Sequence, residues 1–328
     1  MAILSNQKIL TLDWWKRADQ LQPGDIVFDR QGKPVEIKLV QDCRPNTCYE
    51  VVFNDHLTVS GDHNLGFLLE DKTYRHKEVC YKGKYKPTIK LRPKLLADIA
   101  DQPLQREDKF GKTKYSIPTT QPIQLPAQDL PVPPFVFGFW LVNKRPARYF
   151  LVQDEYRETV VNSLKDHGYK PKFEGSSNKF TISPTIETQL APNIPRLIPN
   201  NYLMGSSEQR LELLRGILHA KTRTYNEKLD TFRFSTFSWG LIKQIQWVAE
   251  SLGHKTRLVQ EPTLKHYSLI FKSKLPLVKN QRSKPIKWVM ARRFIKEINE
   301  IQSQPCVTIE TKGEDNTILV GEGFIACR

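Results

Sequence analysis

Between Pro118 and Pro134 the stretch PTTQPIQLPAQDLPVPP carries six prolines. Proline has no amide to offer a helix or a central strand, and it pushes the residue before it towards extended backbone. No regular element can run through such a segment, so the chain must fold in parts on either side of it. The segment itself is expected to be an extended linker.

The two sides have different patterns. Before the prolines, QPGDIVFDRQGKPVEIKLV reads as two short strands with turns at Pro23-Gly24-Asp25 and Gln31-Gly32-Lys33. CYEVVFNDHLTVSGDHNLGFLL reads as a hairpin around Asn54-Asp55 followed by a turn at Gly61-Asp62. Short strands with frequent turns indicate a compact, twisted all-β domain. After the prolines the order becomes apolar helix, strand, amphipathic helix and strand. It occurs twice, around Gly138 and around Gly216, which suggests a pseudo-twofold α+β domain. The last stretch, QPCVTIETKGEDNTILVGEGFIACR, returns to strand–turn–strand and reads as a piece of the first domain separated from it by an insertion. The expected domains are 1–130, with a basic extension at about 70–117, then 131–299, and finally 300–328.

With 328 residues, 39% hydrophobic and 26% charged, the chain has the composition of a folded protein of two ordinary domains. No apolar run approaches the length of a bilayer span, and the N-terminus lacks the pattern of a secretion signal, so no membrane role and a cytoplasmic location are expected. Five cysteines without a CxxC pair argue against a disulfide framework or a zinc site. The net charge of +15 points to a polyanion, with a generically basic surface as the plain alternative. Two tracts concentrate it. One holds Lys82, Lys84, Lys86, Lys90 and Arg92 among tyrosines. The other holds Lys272, Lys274, Arg292 and Arg293 in a run without an acid. Such residues suit a phosphate backbone.

These residues carry a resemblance. The chain resembles an intein, a self-splicing β domain of the Hint type, interrupted by a LAGLIDADG homing endonuclease. ILTLDWWKRADQLQPGDIVFDRQGKP is similar to the first splicing block and LTVSGDHNLGF to the second. The helices ending VFGFWLVNKR and LLRGILHAKTRT are similar to the two LAGLIDADG helices. CVTIETKGEDNTILVGEGFIACR is similar to the closing blocks. The fold implied is an all-β, horseshoe-like Hint domain interrupted by an α+β pseudo-twofold LAGLIDADG domain.

The resemblance also implies where chemistry would stand. Family splicing starts with a Cys or Ser nucleophile, and here Ala2 takes that place; a methyl group cannot attack a carbonyl. Ser60 and His63 fall on the Thr and His that activate the scissile amide, with a structural turn histidine as the plainer reading of His63. Cys306 matches a cysteine common in the penultimate block. Cys327 and Arg328 fall on the closing Thr and His, no Asn follows, and arginine is not a proton-transfer base at neutral pH. In the nuclease, two helices pack through small residues, here Gly138 and Gly216. An acid at each foot shares divalent metal, with Mg as the ancestral cofactor. Asn143 and Lys221 occupy those feet, so no metal and no cofactor are expected.

Lys144, Arg145 and Arg223 beside the feet would add attraction to phosphates. The expectation is an intein-derived monomer that has lost splicing and cleavage and binds double-stranded DNA, nucleoid-associated when bound. Two alternatives stay open at this point: an element inactivated by engineering, and a protein-interaction scaffold with a protein partner.

Overall fold

The structure is a computed structural model that describes residues 1–71, 91–105, 113–143, 149–189, 197–220, 224–261, 266–273, 275–278, 281 and 292–328. The chain divides into two compact units, Met1–Ile123 with Ala291–Arg328, and Gln124–Met290.

The first unit begins with β1 (Ala2–Leu4), β2 (Lys8–Thr11), β3 (Trp14–Arg17), β4 (Ile26–Phe28), β5 (Pro34–Cys43), β6 (Thr47–Phe53), β7 (Thr58–Gly61) and β8 (Gly66–Asp71). It continues through β9 (Leu91–Leu95), the single turn α1 (Leu96–Ile99) and β10 (Tyr115–Pro118). In the second unit, α2 (Pro134–Asn143), β11 (Phe150–Leu151), α3 (Asp154–Asp166), β12 (Lys170–Phe173) and β13 (Lys179–Ser183) form one half. The short α4 (Asn200–Leu203) leads into the other half, made of α5 (Ser207–His219), β14 (Tyr225–Asn226), β15 (Thr231–Thr236), α6 (Trp239–Ser251), β16 (Thr256–Glu261) and β17 (His266–Phe271). The chain then returns to the first unit with β18 (Arg292–Gln302), β19 (Cys306–Thr311), β20 (Ile318–Val320) and β21 (Ile325–Cys327).

In the first unit, strands from both ends of the sequence interleave. The ten-stranded sheet runs β4-β5-β19-β1-β7-β6-β18-β10-β8-β9, and a four-stranded sheet runs β21-β20-β2-β3. Strands such as β6 offer one apolar row to the core through Val51 and Phe53, whereas β1, β20 and β21 are buried at every position. Ile3, Val51, Phe53, Val59 and Phe67 from the N-terminal part meet Ile295, Val307, Ile309, Ile318 and Ile325 from the C-terminal part. Burial of each such side chain contributes roughly 1.5–3 kcal/mol, an upper estimate, and neither part holds the whole core.

The expected boundaries shift. Residues 292–299 belong to the β unit, because β18 pairs with β6 and β10 and fills the gap between them. The proline segment is pinned rather than free. The Gln121 amide and the Thr120 hydroxyl both donate to the Arg30 carbonyl. Further on, Gln209 clamps the backbone of Gln128 from both sides, donating to its carbonyl at 2.7 Å and accepting from its amide at 2.9 Å.

The second unit has two halves of similar order. Their sheets are β11-β13-β12 and β14-β15-β17-β16, three strands against four. The helices form where the sequence signals them: Ser206 caps α5 and accepts from the Gln209 amide, and Gly168 takes a φ of +82° after α3. Arg210 is fully buried, donating to the carbonyls of Gly205 and Ser251, and burial pulls its guanidinium pKa down to about 9.

Candidate functional sites

In the β unit, the two ends of the chain meet one turn, Gly61 to Gly66. The Asp62 amide donates to the Ala2 carbonyl at 3.2 Å, and Ile3 is paired with Gly61. A Cβ on Gly61 would lie 2.3 Å from the Ala2 oxygen, so only glycine admits this approach. At the other end of the turn, Gly66 and Arg328 exchange two backbone hydrogen bonds of 2.8 Å. Within the turn, the buried Asp62 carboxylate accepts from the Asn64 backbone and side-chain amides, both at 2.9 Å. Ser60 is buried on β7, whereas His63 is exposed and its carbonyl accepts from the Ala97 amide.

Three thiols, those of Cys43, Cys48 and Cys306, pack in one cluster with Ala2. Ala2 is buried opposite Thr308, and the nearest matched thiol, Cys306, lies two residues along β19 opposite Leu4. Burial pushes the Cys306 thiol well above its usual range, and the neighbouring Cys48 and Cys43 push the same way. The Cys48 and Cys306 sulfurs are 3.8 Å apart. Cys327 is buried in the core, and burial alone raises its thiol. A thiol held in its neutral form is a weak nucleophile.

In the second unit, α2 and α5 cross at two glycines. A Cβ on Gly138 would lie 2.4 Å from the Leu213 carbonyl oxygen, and one on Gly216 would lie 2.0 Å from that of Phe135. The helix feet are where the resemblance implies an acid that would hold metal. Asn143 is buried, and its side chain is fully engaged by the backbone of Leu151 on β11, with Nδ2 donating to the carbonyl and Oδ1 accepting from the amide. Its one oxygen is neutral and already accepts one hydrogen bond, so it offers a divalent ion less than a carboxylate would. Lys221 lies outside the described residues, and among those described no group of three acids, histidines or cysteines is placed to hold a metal. Next to the foot of α5, His219 is buried between the rings of Phe135 and Tyr156, and Nδ1 faces the Arg215 carbonyl at 2.7 Å. Among the described residues its Nε2 finds no partner, and burial lowers its pKa.

Each sheet of this unit turns one row inward and a basic row outward. On β12 and β13, Phe180 and Ile182 are buried while Lys170, Lys172, Thr181 and Ser183 are exposed. On β15 and β16, Phe232 and Phe234 are buried while Arg233 and Arg257 are exposed. Both arginines are paired in register with Ile270 of β17, so they share one face. Sequence reasoning missed these four cations because it sought dense tracts. The available signal was the alternation itself, as in Lys-Pro-Lys at 170–172 and Phe-Arg-Phe at 232–234.

Of the basic residues expected to meet DNA, in the tracts or beside the helix feet, Lys82, Lys84, Lys86, Lys90, Lys144, Arg145, Arg223 and Lys274 lie outside the described residues. Arg92, on β9, and Lys272 are half-buried. Arg292 and Arg293 are a correction. Both are buried on β18, in ion pairs with Glu70 and Asp55 respectively, and serve the core of the β unit rather than a DNA surface. Their position inside the ten-stranded sheet is the reason, since the acids that neutralise them come from β8 and the β6–β7 turn.

No family model matches the chain. It is 25% identical over 211 residues to the replicative DNA helicase DnaB of Mycobacterium intracellulare, a match of 62% of this chain. It spans only 34% of that relative's length. Among solved structures it is similar to the gp41-1 intein, with 14% identity, 35% of this chain, 74% of that chain and a TM-score of 0.23. It is also similar to the homing endonuclease I-DmoI in complex with DNA and Mn, with 10% identity, 48% of this chain, 98% of that chain and a TM-score of 0.31. No helix among the described residues is long and apolar enough to cross a membrane.

Proposed function

We propose that this chain is an intein-derived protein whose splicing and DNA-cleaving reactions are both lost, and whose inserted unit binds double-stranded DNA. The observation that carries the reading is the exposed basic row on both sheets of the second unit, Lys170 and Lys172 on one and Arg233 and Arg257 on the other. Cations on the two pseudo-repeats suit contacts to successive phosphates, and with both halves in one chain a monomer suffices. Bound in this way, the protein would reside in the cytoplasm, on the nucleoid.

Loss of cleavage follows from charge and from geometry. Asn143 spends its side chain on Leu151, and the sequence puts a lysine at the other foot. At about 4 Å and an effective dielectric near 20, that cation would oppose a divalent ion by several kcal/mol. Loss of splicing follows from Ala2, which offers no nucleophile, and from the neutral, buried thiol of Cys306. The turn whose two ends hold the Ala2 and Arg328 backbones is then inherited scaffolding.

The test is a labelled duplex titrated at several salt concentrations. Binding at low micromolar protein that weakens with salt is expected, and its absence would overturn the DNA reading. Supercoiled plasmid with Mg or Mn should stay intact, and a linearised product would overturn the loss of cleavage. Expressed between flanking host segments, the chain should accumulate as unspliced precursor. A ligated product would overturn the loss of splicing, and rescue by Ala2→Cys together with an Asn appended after Arg328 would instead favour an element disabled at those two positions.

A further inference from the structure

We propose that one end of the four-stranded sheet in the inserted unit is a stacking platform for an unpaired nucleobase. This rests on the DNA-binding reading and adds the kind of DNA that is preferred. Two large rings stand open there at the junction of β15 and α6, with Phe237 77% exposed and Trp239 51% exposed. Each leans on a neighbour from the start of β17. Phe237 meets His266 edge-on at 6.2 Å between centroids, and Trp239 meets Tyr267 at 5.0 Å. His266 and Tyr267 are consecutive in a strand and therefore point to opposite faces. The four rings wrap the end of the sheet, with the exposed pair outermost.

Cations accompany the rings. Lys243 Nζ lies 6.0 Å from the Trp239 centroid. Exposed Arg233 stands four residues before Phe237 along the same strand direction, a span of about 13 Å. Aromatic rings beside cations at one end of a basic sheet match the chemistry of an unstacked base with its phosphates. A regular duplex offers only base edges in its grooves. Rings of this exposure gain most from a base whose face is free, as in a bulge or a single strand.

The experiment compares three DNAs of one sequence: a perfect duplex, the duplex with a single-nucleotide bulge, and the single strand. 2-Aminopurine at the bulge position reports stacking. The full chain should bind the bulged and single-stranded forms about tenfold more tightly than the perfect duplex and quench the probe. The double variant Phe237→Ala with Trp239→Ala should lose the preference and the quenching while its affinity for the perfect duplex is unchanged. Phe237→Tyr with Trp239→Phe should keep both. Equal affinity of the unaltered chain for all three DNAs, or a preference that survives the double alanine variant, would overturn this proposal alone. Absence of binding to any of the three would overturn the DNA reading beneath it.

Discussion

The side chain of Asn143 holds the backbone of Leu151 by two hydrogen bonds, at 2.6 Å to the carbonyl and 3.2 Å from the amide. The foot of α2 is thereby closed on the strand that follows it, and the position serves folding. Asn143→Asp removes the donor to the Leu151 carbonyl and sets a charge beside it. We expect a loss of about 1–3 kcal/mol in a denaturant titration and no plasmid nicking with Mg. A variant of undiminished stability that cuts DNA would show that a latent metal position survives.

Gly138 and Gly216 let α2 and α5 approach to backbone contact. Because the atoms in the way are carbonyl oxygens, at 2.4 Å and 2.0 Å from a built Cβ, the helices must move apart to admit alanine. Gly138→Ala and Gly216→Ala should each cost about 1–3 kcal/mol or more, read as a lowered melting temperature. Gly240→Ala on α6 is the control, since its Cβ would meet only the tip of Leu197 at 3.1 Å. It should be neutral or mildly stabilising, alanine being the better helix former.

The outward cations and the buried ones should separate cleanly. Replacing Lys170, Lys172 or Arg257 by alanine should leave the melting temperature unchanged, Arg233→Ala should lower it because Ser268 loses two hydrogen bonds, and all four should lower the slope of log affinity against log salt by about one per lost phosphate contact. Arg292→Ala removes the cation from the buried Glu70 carboxylate, leaving Ser116 still donating to it, and should cost about 3–5 kcal/mol. Binding of the duplex by the folded fraction should not change. A salt slope that falls in Arg292→Ala but not in the other four would reverse the assignment.

His219 sets a pH dependence. Its folded pKa is depressed by burial from an ordinary value of 6.5, so the unfolded chain takes up the proton first. The stability contributed by the neutral ring is fully present above about pH 6.5 and drains away as pH falls through the lowered folded pKa. His219→Leu should remove that component. The gap between wild type and variant in the unfolding midpoint should shrink or change sign between about pH 7.5 and about pH 5. A gap that stays constant over that range would rule this out.

The thiols should sort by burial. Cys43 is half-buried, whereas Cys48, Cys306 and Cys327 are buried, the last two with raised pKa values. Peptide mapping after brief alkylation of the native protein should find Cys43 modified and those three protected until denaturant is added. Rapid native labelling of Cys306 would mean that the thiol beside Ala2 is far more reactive than its surroundings allow.

Elements set by local pattern are legible in the sequence. The hairpin around Asn54-Asp55, the helices over 154–166 and 207–219, the stop at Gly168 and the paired order of the second unit all announce themselves through period, caps and turn residues within a few positions. The extent of the C-terminal β segment is not. Arg292 to Asn299 reads as a basic continuation of its neighbours, and only a vacant place between β6 and β10 makes it a strand.

The sequence alone determined the division at the prolines, the two glycines of the helix pair, and the absence of a carboxylate at Asn143 and Lys221 and of a nucleophile at Ala2, because these depend on which atoms a residue has. Tertiary structure alone decided which arginines face water and which are consumed by Glu70 and Asp55, that Asn143 is spent on Leu151, and that the Ala2 and Arg328 backbones flank one turn. Those outcomes depend on groups distant in the chain arriving within a few ångströms of one another. Neither charge density nor spacing along a sequence records that arrival.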